Sequence, residues 1–396
     1  MNVPSLRIKC YRPFISFLVN YKHTKIYKMK IGIITLPLNT NYGGILQAYA
    51  LRTLLQRLGH EVYILESKRP PFHSKWVLPL VWIKRFIYKY LFHQNVEVFK
   101  HPNERIRQYT DVFIKKYINI LQFENWNSEL LKDFDCFIVG SDQIWRPCYV
   151  SCLNHAFLDF TTNLNVRRIA YAVSFGTDKQ EYTIDQIKTC KALVERFLAV
   201  SVREDTGVDL CKSYFNVLAT HVLDPTMLLT VSDYLYLFKS KAIPKSKGDL
   251  FVYILDENPE EKQFISEFAT KFKLSPFHTN AKVHQYDAPI AERIQPPLEF
   301  WLRGIYDAKF VITDSFHACV FSILFHKPFL VIGNVSRGLS RVESLLKLFK
   351  LEDCLITTLD RVPPISINWT EVDEILELNR EKSKKFLVQN LKKNHI

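Results

Sequence analysis

A loop that ends in two adjacent glycines is the first place where this sequence has residues suited to anion binding. Residues 39–44 read Asn-Thr-Asn-Tyr-Gly-Gly and follow an apolar segment. Gly43 and Gly44 at the start of a helix would let backbone N–H groups approach a phosphate or a carboxylate, which the helix dipole also favours. Gln47, one turn further on, would add a polar contact. A tight turn that uses glycine only for its geometry is the alternative.

Arg203 is the second candidate for anion binding, because it ends the otherwise apolar segment 197–202. A guanidinium at the end of a strand can bind an anion through two parallel hydrogen bonds. The alternative is a structural ion pair with Glu204 or Asp205. Two further arginines, Arg337 and Arg341, lie in a segment that also contains two serines and form a second candidate clamp.

His317 is the residue best suited to proton transfer. Together with Ser315 it follows the apolar segment 309–312, and it would lie in the first turn of the next helix. An anion bound there would favour the proton-donating form of the imidazole. A buried, hydrogen-bonded histidine with a structural role is the alternative.

The segment 140–145 places polar and aromatic side chains directly after another apolar run. It reads Gly-Ser-Asp-Gln-Ile-Trp, so that Asp142 is a candidate base and Ser141, Gln143 and Trp145 are candidate substrate contacts. If Ser141 or Asp142 caps the N-terminus of a helix, half of this pattern needs no functional explanation.

The elements that must position these clusters alternate between strands and helices. Residues 30–36 predict a buried strand because they are β-branched and apolar, and residues 45–58 have helical periodicity that ends at Gly59. Ligands in parallel sheets bind beyond the carboxyl ends of the strands, where these clusters lie. Further strands are predicted at 61–66, 136–139, 168–173, 197–202, 221–223, 251–255, 310–313 and 329–332, and further helices at 205–215, 260–272, 298–306, 318–325 and 371–391.

Two such series predict an α/β fold of two Rossmann-like, doubly wound domains that face each other across a cleft. The length of 396 residues agrees with two domains. The N-terminal domain is predicted at 29–239, the linker at 240–249, where Pro, Gly and several Lys occur, and the C-terminal domain with a terminal helix at 250–396. Residues 1–28 are expected to be an N-terminal extension that is disordered or not translated.

The composition favours a globular protein with anionic ligands. Hydrophobic residues make up 47% and charged residues 23% of the chain, and the formal net charge is +13. No nucleic-acid-binding motif accompanies this charge, so nucleic acid is not an expected partner, and plain surface charge is an alternative cause. None of the eight cysteines forms a Cys-x-x-Cys pair, which predicts reduced thiols, a cytoplasmic location and no metal site.

Residues 75–93 have the pattern of a helix that lies on a membrane surface. Trp, Tyr, Phe and Leu are interleaved with Lys and Arg, and no acidic residue occurs. Peripheral contact with the inner face of the membrane is one expectation. A helix packed on the first domain with a basic outer face is the other. No apolar run of the sequence is long enough to predict a membrane-spanning helix.

Taken together, the clusters resemble the polysaccharide pyruvyl transferase family. The resemblance depends on the order and spacing of short blocks over roughly residues 29–353. These blocks are Asn41-Tyr42-Gly43-Gly44 with Gln47 and Ala48, then 140–145, 171–176, 201–203 and 223–226, and finally Asp314-Ser315-Phe316-His317, 327–329 and Ser340-Arg341.

The resemblance implies a GT-B-like fold and the transfer of a pyruvyl group from phosphoenolpyruvate to two hydroxyls of one sugar, with release of phosphate. It implies that Arg203 and His317 contact the donor, which is a substrate and not a cofactor. We expect a saccharide acceptor, either free or lipid-linked, in bacterial surface or exopolysaccharide synthesis. Some members have Arg-Leu-His where this chain has Ser315-Phe316-His317, so Arg337 or Arg341 is expected to replace that arginine.

Two other functions remain open at the level of sequence. A nucleotide-sugar glycosyltransferase of the same architecture would need an acidic residue for a ribose in the second domain, and Glu299 is the candidate, although it belongs to the predicted helix 298–306. A non-catalytic saccharide-binding protein is the other alternative, against which the presence of Arg203 and His317 argues.

Overall fold

The computed structural model describes residues 27–68, 78–91, 102–334, 338–359 and 365–392. Most of the predicted extension, together with Arg337 and the ends of the segment 75–93, lies outside the described residues. Within the described part, two parallel sheets form two Rossmann-like domains. This confirms the predicted α/β, doubly wound fold.

The N-terminal sheet has seven strands in the order β3-β2-β1-β4-β5-β6-β7. Every strand pair is parallel. The strands from β1 to β3 extend the sheet in one direction, and those from β4 to β7 extend it in the other, so that β1 lies between β2 and β4. The central strands are apolar throughout because helices cover both faces of a parallel sheet. The strands are β1 Lys30–Ile34, β2 Glu61–Ser67, β3 Ile120–Phe123, β4 Cys136–Val139, β5 Arg167–Val173, β6 Ala199–Val202 and β7 Thr220–His221.

The C-terminal sheet has five parallel strands in the order β12-β11-β10-β8-β9. Its central strands β8, β10 and β11 were predicted from their apolar runs. The outer strands β9 and β12 have only three and two residues, which is too short for a recognisable apolar pattern. The strands are β8 Leu250–Tyr253, β9 Pro276–His278, β10 Phe310–Thr313, β11 Phe329–Ile332 and β12 Leu355–Ile356.

Helices cover the two sheets and connect their strands. Residues Cys211–Phe215 continue the predicted helix 205–215 as a π-helical turn. No described helix is long and apolar enough to span a bilayer. The helices are α1 Tyr42–Arg57, α2 Leu78–Tyr90, α3 Pro102–Ile106, α4 Gln108–Tyr117, α5 Leu153–Ala156, α6 Ile184–Val194, α7 Asp205–Leu210, α8 Val231–Lys239, α9 Pro259–Phe272, α10 Ile290–Arg293, α11 Leu298–Asp307, α12 Phe316–Leu324, α13 Leu339–Phe349 and α14 Trp369–Leu391.

The terminal helix α14 contacts both domains. At its start the ring of Trp369 stacks on His326 of the C-terminal domain, with ring centroids 4.8 Å apart. In its second half Arg380 Nε donates to the carbonyl of Met227 at 2.7 Å, and Ser383 Oγ accepts from Leu223 N at 2.9 Å. The helix that the sequence assigns to the C-terminal domain therefore bonds to the N-terminal domain.

The two domains are in contact along the edge where the carboxyl ends of their strands meet. Tyr42 crosses this interface from α1: its hydroxyl donates to the carbonyl of Pro296 at 2.7 Å, and its ring packs on Tyr253 and Trp301. On the other side of the interface, Asp205 N donates to Ser344 Oγ of α13 at 2.8 Å. The predicted cleft is therefore closed in this structure.

Candidate active site

Arg203 is the centre of a buried cluster of charges between the domains. Its side chain, at the end of β6, is fully buried, and Nη1 donates to Asp224 Oδ2 at 2.8 Å while Nη2 donates to Asp142 Oδ1 at 2.7 Å. Its Cζ lies 4.5 Å from the centre of the Phe316 ring. Although burial lowers the pKa of Arg203, these carboxylates raise it above its usual value, so the guanidinium stays charged.

Asp224 accepts more hydrogen bonds than a simple turn would require. Its Oδ1 accepts from Thr226 N at 3.0 Å and from Thr226 Oγ1 at 2.6 Å. Its Oδ2, which accepts from Arg203, lies 3.2 Å from Ser141 Oγ and 3.7 Å from His317 Nε2. Burial alone raises the pKa of Asp224, but His317, Arg203 and Thr226 hold it well below its usual value. Asp224 is therefore an ionised carboxylate that both Arg203 and His317 face.

Asp142 reaches Arg203 from the loop that follows β4. Its φ of 65° is in the left-handed region, which Asp adopts more readily than most non-glycine residues. Its Oδ1 lies 4.0 Å from Arg341 Nη1. Although burial raises its pKa, Arg203, His317 and Arg341 lower it overall. An ionised carboxylate held in this way is a weak base, and the role of Asp142 as the base stays a prediction.

Glu204 is buried beside Arg203 but is not well paired with it. Its Oε1 accepts from Phe175 N at 2.8 Å, whereas Oε2 lies 4.0 Å from Arg203 Nε and has no hydrogen-bond partner. Burial raises the pKa of Glu204 above its usual value, despite the nearby arginines. The hydrogen-bonded ion pairs of Arg203 are thus made with carboxylates that are distant in sequence, and its ion pair with the neighbouring Glu204 is a long one without a hydrogen bond.

His317 lies in the first turn of α12 and packs directly on Gly43. A Cβ built at Gly43 would lie 2.0 Å from His317 Nδ1, so the space that a side chain would need is already occupied by the imidazole. The residue is 6% exposed, and its Nε2 is buried without a hydrogen-bond partner, since Asp224 at 3.7 Å is too far away for one. Gly43 is therefore required for close approach, and the predicted position of His317 at a helix start facing the other domain is confirmed.

Arg341 is a second buried arginine in the cluster, contributed by α13. Its Cζ lies 5.7 Å from the centre of the Phe316 ring, which packs against both arginines. Burial and the charge of Arg203 lower the pKa of Arg341 to about 10. Residue Gly338, just before α13, packs so closely on Gly176 of the other domain that a Cβ there would lie 1.8 Å from its carbonyl oxygen.

Several polar atoms in this cluster lack partners although they are buried. They belong to both domains: Arg203 Nε and Glu204 Oε2 come from the N-terminal domain, and His317 Nε2 and Ser340 Oγ from the C-terminal domain. Buried polar groups are normally hydrogen-bonded, because an unpaired one costs about 1–3 kcal/mol. Unpaired atoms in one place therefore indicate a site that a ligand or water completes. The helices α1, α12 and α13 begin here, and their N-terminal dipoles favour an anion.

The predicted acceptor residues have structural partners within the N-terminal domain. Gln47 is fully buried and donates to Thr35 Oγ1 at 2.8 Å, while its Oε1 accepts from Ser141 N at 3.0 Å. Trp145 is fully buried in the core, where it stacks on the ring of Phe157. Gln143 Oε1 accepts from Arg146 Nη1 at 3.3 Å. Contact of Gln47, Ser141, Gln143 and Trp145 with an acceptor stays a prediction.

The remaining predicted donor residues are brought to the same interface. Asn41 caps α1 by accepting from Gly44 N at 3.2 Å, which satisfies one of the N–H groups that were predicted to bind an anion. Tyr42 joins the domains as described above. Ser315 is the N-cap residue of α12 and is nearly buried. Donor binding by these residues stays a prediction, and so does donor binding by Arg337, which lies outside the described residues.

Sequence reasoning did not identify Asp224 as a partner of Arg203 and His317, since Asp224 was only part of the block 223–226. Glu204 was expected only as a possible ion-pair partner of Arg203 and not as a buried carboxyl group of the site. The described residues include no group of His, Cys, Asp and Glu side chains placed to hold a metal ion. Glu299, the candidate ribose contact, is buried and accepts a hydrogen bond from Lys241, and the predicted helix around it is confirmed as α11.

Comparisons with known proteins agree on the fold and identify a family. A family model described as polysaccharide pyruvyl transferase matches residues 41–337, about three quarters of the chain. No curated protein sequence matches the chain.

Solved structures with a similar fold include two that were determined with a UDP-sugar bound. The UDP-GlcNAc 2-epimerase of Neisseria meningitidis, bound to UDP-GlcNAc, aligns with a TM-score of 0.50 at 12% identity, over 92% of this chain and 100% of that chain. UGT71G1 of Medicago truncatula, complexed with UDP-glucose, aligns with a TM-score of 0.46 at 11% identity, over 92% and 99%. At this identity the likeness concerns the fold alone, and that fold is GT-B-like.

Proposed function

The chain belongs to the polysaccharide pyruvyl transferase family, and on that premise we propose that it transfers a pyruvyl group from phosphoenolpyruvate to a saccharide. The two hydroxyls of the saccharide that receive the group would form a cyclic ketal. We place this reaction in the synthesis of a bacterial surface polysaccharide or exopolysaccharide, in the cytoplasm.

The observation that carries the proposal is the position of His317. Its Nε2 is buried, has no hydrogen-bond partner, and faces the ionised Asp224 at 3.7 Å. An imidazole nitrogen without a partner inside the protein can exchange a proton with a ligand that binds beside it. Arg203 in turn fixes Asp224, because it binds that carboxylate at 2.8 Å. His317 is therefore suited to act as a general acid.

The reaction needs an acid because the donor reacts at an enol carbon–carbon double bond. Protonation of the methylene carbon by His317 would give a methyl group and an electrophilic neighbouring carbon. The first sugar hydroxyl forms a C–O bond to that carbon and releases its proton. Phosphate then leaves with the electron pair of its C–O bond, the second hydroxyl attacks, and its proton is released. One of the two hydroxyl protons restores the imidazolium and the other remains with the phosphate.

The charges of the cluster suggest how the anionic donor would be bound. Two arginines, Arg203 and Arg341, face three carboxyl groups, so an anion would be poorly accommodated if all of them were ionised. Because burial raises the pKa of Glu204, that group is the one suited to carry a proton and donate it in a hydrogen bond to the donor. Arg203 is held by Asp142 and Asp224, which makes the N-termini of α12 and α13 the better candidates for direct contact with the donor.

The test compares phosphate release from phosphoenolpyruvate by the wild-type protein and by His317→Gln. We expect turnover to be lost in the variant while the unfolding midpoint changes little. His326→Gln is the matched control, since His326 is an exposed histidine that stacks on Trp369 away from the site. Turnover retained in a folded His317→Gln variant would remove His317 from the mechanism. Stabilisation by a uridine diphosphate sugar and not by phosphoenolpyruvate would instead support a glycosyltransferase.

We further propose that α2 contacts an anionic membrane. Leu80, Ile83 and Phe86 are 67%, 57% and 52% exposed, and Leu91 beyond the helix end is 71% exposed. The helix sequence adds Lys84, Arg85 and Lys89 and contains no acidic residue. An apolar helix with only basic charges fits the cytoplasmic face of a bilayer with anionic lipids better than it fits a second copy of this basic chain. Such docking would bring the enzyme to a lipid-linked acceptor.

Flotation with vesicles tests this contact. We expect the full chain to float with phosphatidylglycerol vesicles at low salt and not with phosphatidylcholine vesicles. The double variant Ile83→Ser/Phe86→Ser should lose binding, whereas Leu378→Ser, which removes an equally exposed apolar side chain from α14, should keep it. Binding unchanged in the double variant, or a dimer that the double variant dissociates, would contradict the membrane role.

A further inference from the structure

A cavity of about 660 Å³ lies in the N-terminal domain, at the carboxyl ends of β1 and β2. Its volume is within the range of about 300–1,000 Å³ that small-molecule sites occupy. Its walls come from the loops after these strands, from Trp126 and from the loop that leads into α5. All of these elements belong to one domain, so the cavity is separate from the charge cluster between the domains.

The wall on one side of the cavity is shared with the candidate active site. Thr35 lines the cavity, and its hydroxyl donates to the carbonyl of Ser141 at 3.4 Å. Ser141 Oγ in turn lies 3.2 Å from Asp224, the carboxylate that faces His317. The loop 140–145 thus presents Asp142 to the charge cluster, while Ile144 lines the cavity. A molecule bound in the cavity would lie next to the groups proposed to act on the donor.

The charged groups around the cavity do not fit an anion. Lys68 is the lysine of its lining, and a hydrogen bond to Glu124 compensates its charge. Glu66 adds a carboxylate to the same wall. Among the lining residues that the structure describes, a phosphate or a nucleoside diphosphate would meet no unopposed cation, whereas a neutral hydroxylated molecule would meet carboxylate, hydroxyl and imidazole groups that pair with hydroxyls. The cavity is therefore matched to the neutral substrate of the reaction and not to the donor.

The lining also offers aromatic faces beside these polar groups. Trp126 packs against the ring of His155, with centroids 4.7 Å apart, and the exposed ring of Tyr149 lies under the guanidinium of Arg146 at 4.9 Å. His155 Nδ1 is 2.7 Å from Asp159 Oδ1. With the proton on Nδ1, the carboxylate orients the ring and leaves Nε2 as an acceptor for a hydroxyl. Apolar faces with a few placed polar groups are the arrangement that binds a sugar ring.

We propose that this cavity is a subsite for the saccharide acceptor, which binds a neutral sugar unit next to the unit whose hydroxyls receive the pyruvyl group. The inference rests on the proposed function for the reaction, but its site is distinct. Tyr149 and Trp126 would pack against the apolar face of the sugar, and Glu66 and His155 would bind its hydroxyls. Tyr149 also connects the two sites, because its hydroxyl lies 3.4 Å from Arg146 and it acts electrostatically on Arg341.

Binding of methyl glycosides to the full chain tests the subsite. Saturation-transfer NMR with methyl glucoside and methyl galactoside should detect binding of at least one of them. Tyr149→Ala and Glu66→Gln should each weaken that binding about tenfold. Tyr236→Ala is the matched control, because it removes an exposed tyrosine from α8, far from the cavity.

The donor arm of the experiment separates the two proposals. Stabilisation by phosphoenolpyruvate should be the same in Glu66→Gln and wild type, because Glu66 does not contact the charge cluster. If phosphoenolpyruvate stabilises the protein but no glycoside binds, or if the glycosides bind equally to both cavity variants, the acceptor subsite is refuted and the proposed reaction is not. If glycosides bind through the cavity but phosphoenolpyruvate has no effect, the subsite stands and the donor is wrong.

Discussion

Replacing Gly43 by alanine would test whether the domains close on each other through His317. A Cβ at position 43 would lie 2.0 Å from Nδ1 and 2.4 Å from Cγ of the imidazole, whereas ordinary contacts begin at 3.4 Å. The two helices α1 and α12 must therefore move apart by about 1.4 Å. Since His317 is 6% exposed, it has little room to rotate away, and we expect the domains themselves to separate.

The free-energy cost can be worked out by comparison with the neighbouring glycine. A Cβ at Gly44 would lie 3.5 Å from Asn41, which is an ordinary contact. Both substitutions gain about 0.8–1 kcal/mol of helix propensity, but only Gly43→Ala introduces an overpacking cost of about 1–3 kcal/mol. Gly43→Ala should therefore be less stable than Gly44→Ala by about 1–3 kcal/mol.

Urea unfolding of the two variants measures this difference, and small-angle X-ray scattering measures the separation of the domains. We expect the radius of gyration to increase in Gly43→Ala and to stay at the wild-type value in Gly44→Ala. Equal stability and equal radius of gyration in both variants would refute the close packing of His317 on α1. A Gly43→Ala variant that is more stable than wild type would refute it as well.

Three other substitutions have expected outcomes. Asp224→Asn should lower the free energy of unfolding at pH 7 by about 3–5 kcal/mol, because Arg203 loses a buried partner. Since the pKa of Asp224 is depressed in the folded state, this difference from wild type, measured by urea titration, should shrink as the pH falls below about 4. Glu204→Gln should stabilise the protein above about pH 4.3 and have no effect below it. The raised pKa of Glu204 means that ionisation of this carboxyl group opposes folding. A variant that is less stable than wild type at pH 7 would contradict this. Trp145→Phe should lower the free energy of unfolding by about 1–3 kcal/mol, because the indole hydrogen bond to the carbonyl of Ala156 and some packing are lost. The KM for an acceptor should stay unchanged. A raised KM would support a contact between Trp145 and the acceptor.

The elements that bury continuous apolar runs were predictable from sequence. Strand β4 is apolar at all four positions and fully buried, and it was predicted with its observed limits. Strand β3 was missed: it is a short outer strand at the edge of its sheet, and the exposed Gln122 interrupts its apolar pattern. A strand that is covered on both faces must be apolar at every position, and such a run is easy to recognise in a sequence. A strand at the edge of a sheet is partly exposed to solvent, so polar residues interrupt its run.

For the site, sequence patterns indicated which residues come together but not which atoms they would bind. The position of His317 at a helix start follows from the strand before it. The partners of Arg203 do not follow, because Asp142 and Asp224 are 61 and 21 residues away and only the fold joins them. Nor could sequence show that Tyr42 and Trp145 are fully buried, since an aromatic residue beside a glycine-rich or polar loop has the same pattern in a core and in a ligand site.

The terminal helix α14 has a mechanical consequence for catalysis. The chain joins the domains once between α8 and β8 and a second time through α14, which contacts both. Two attachments restrict the domains to a swing about the line between them, so they do not drift apart freely. Such a swing would break the contact of His317 with Gly43 and that of Arg341 with Asp142 together, and would open the charge cluster to solvent in one movement. The cavity beside β1 and β2 lies within one domain and would keep its shape throughout, so a sugar bound there would remain in place while donor and phosphate exchange.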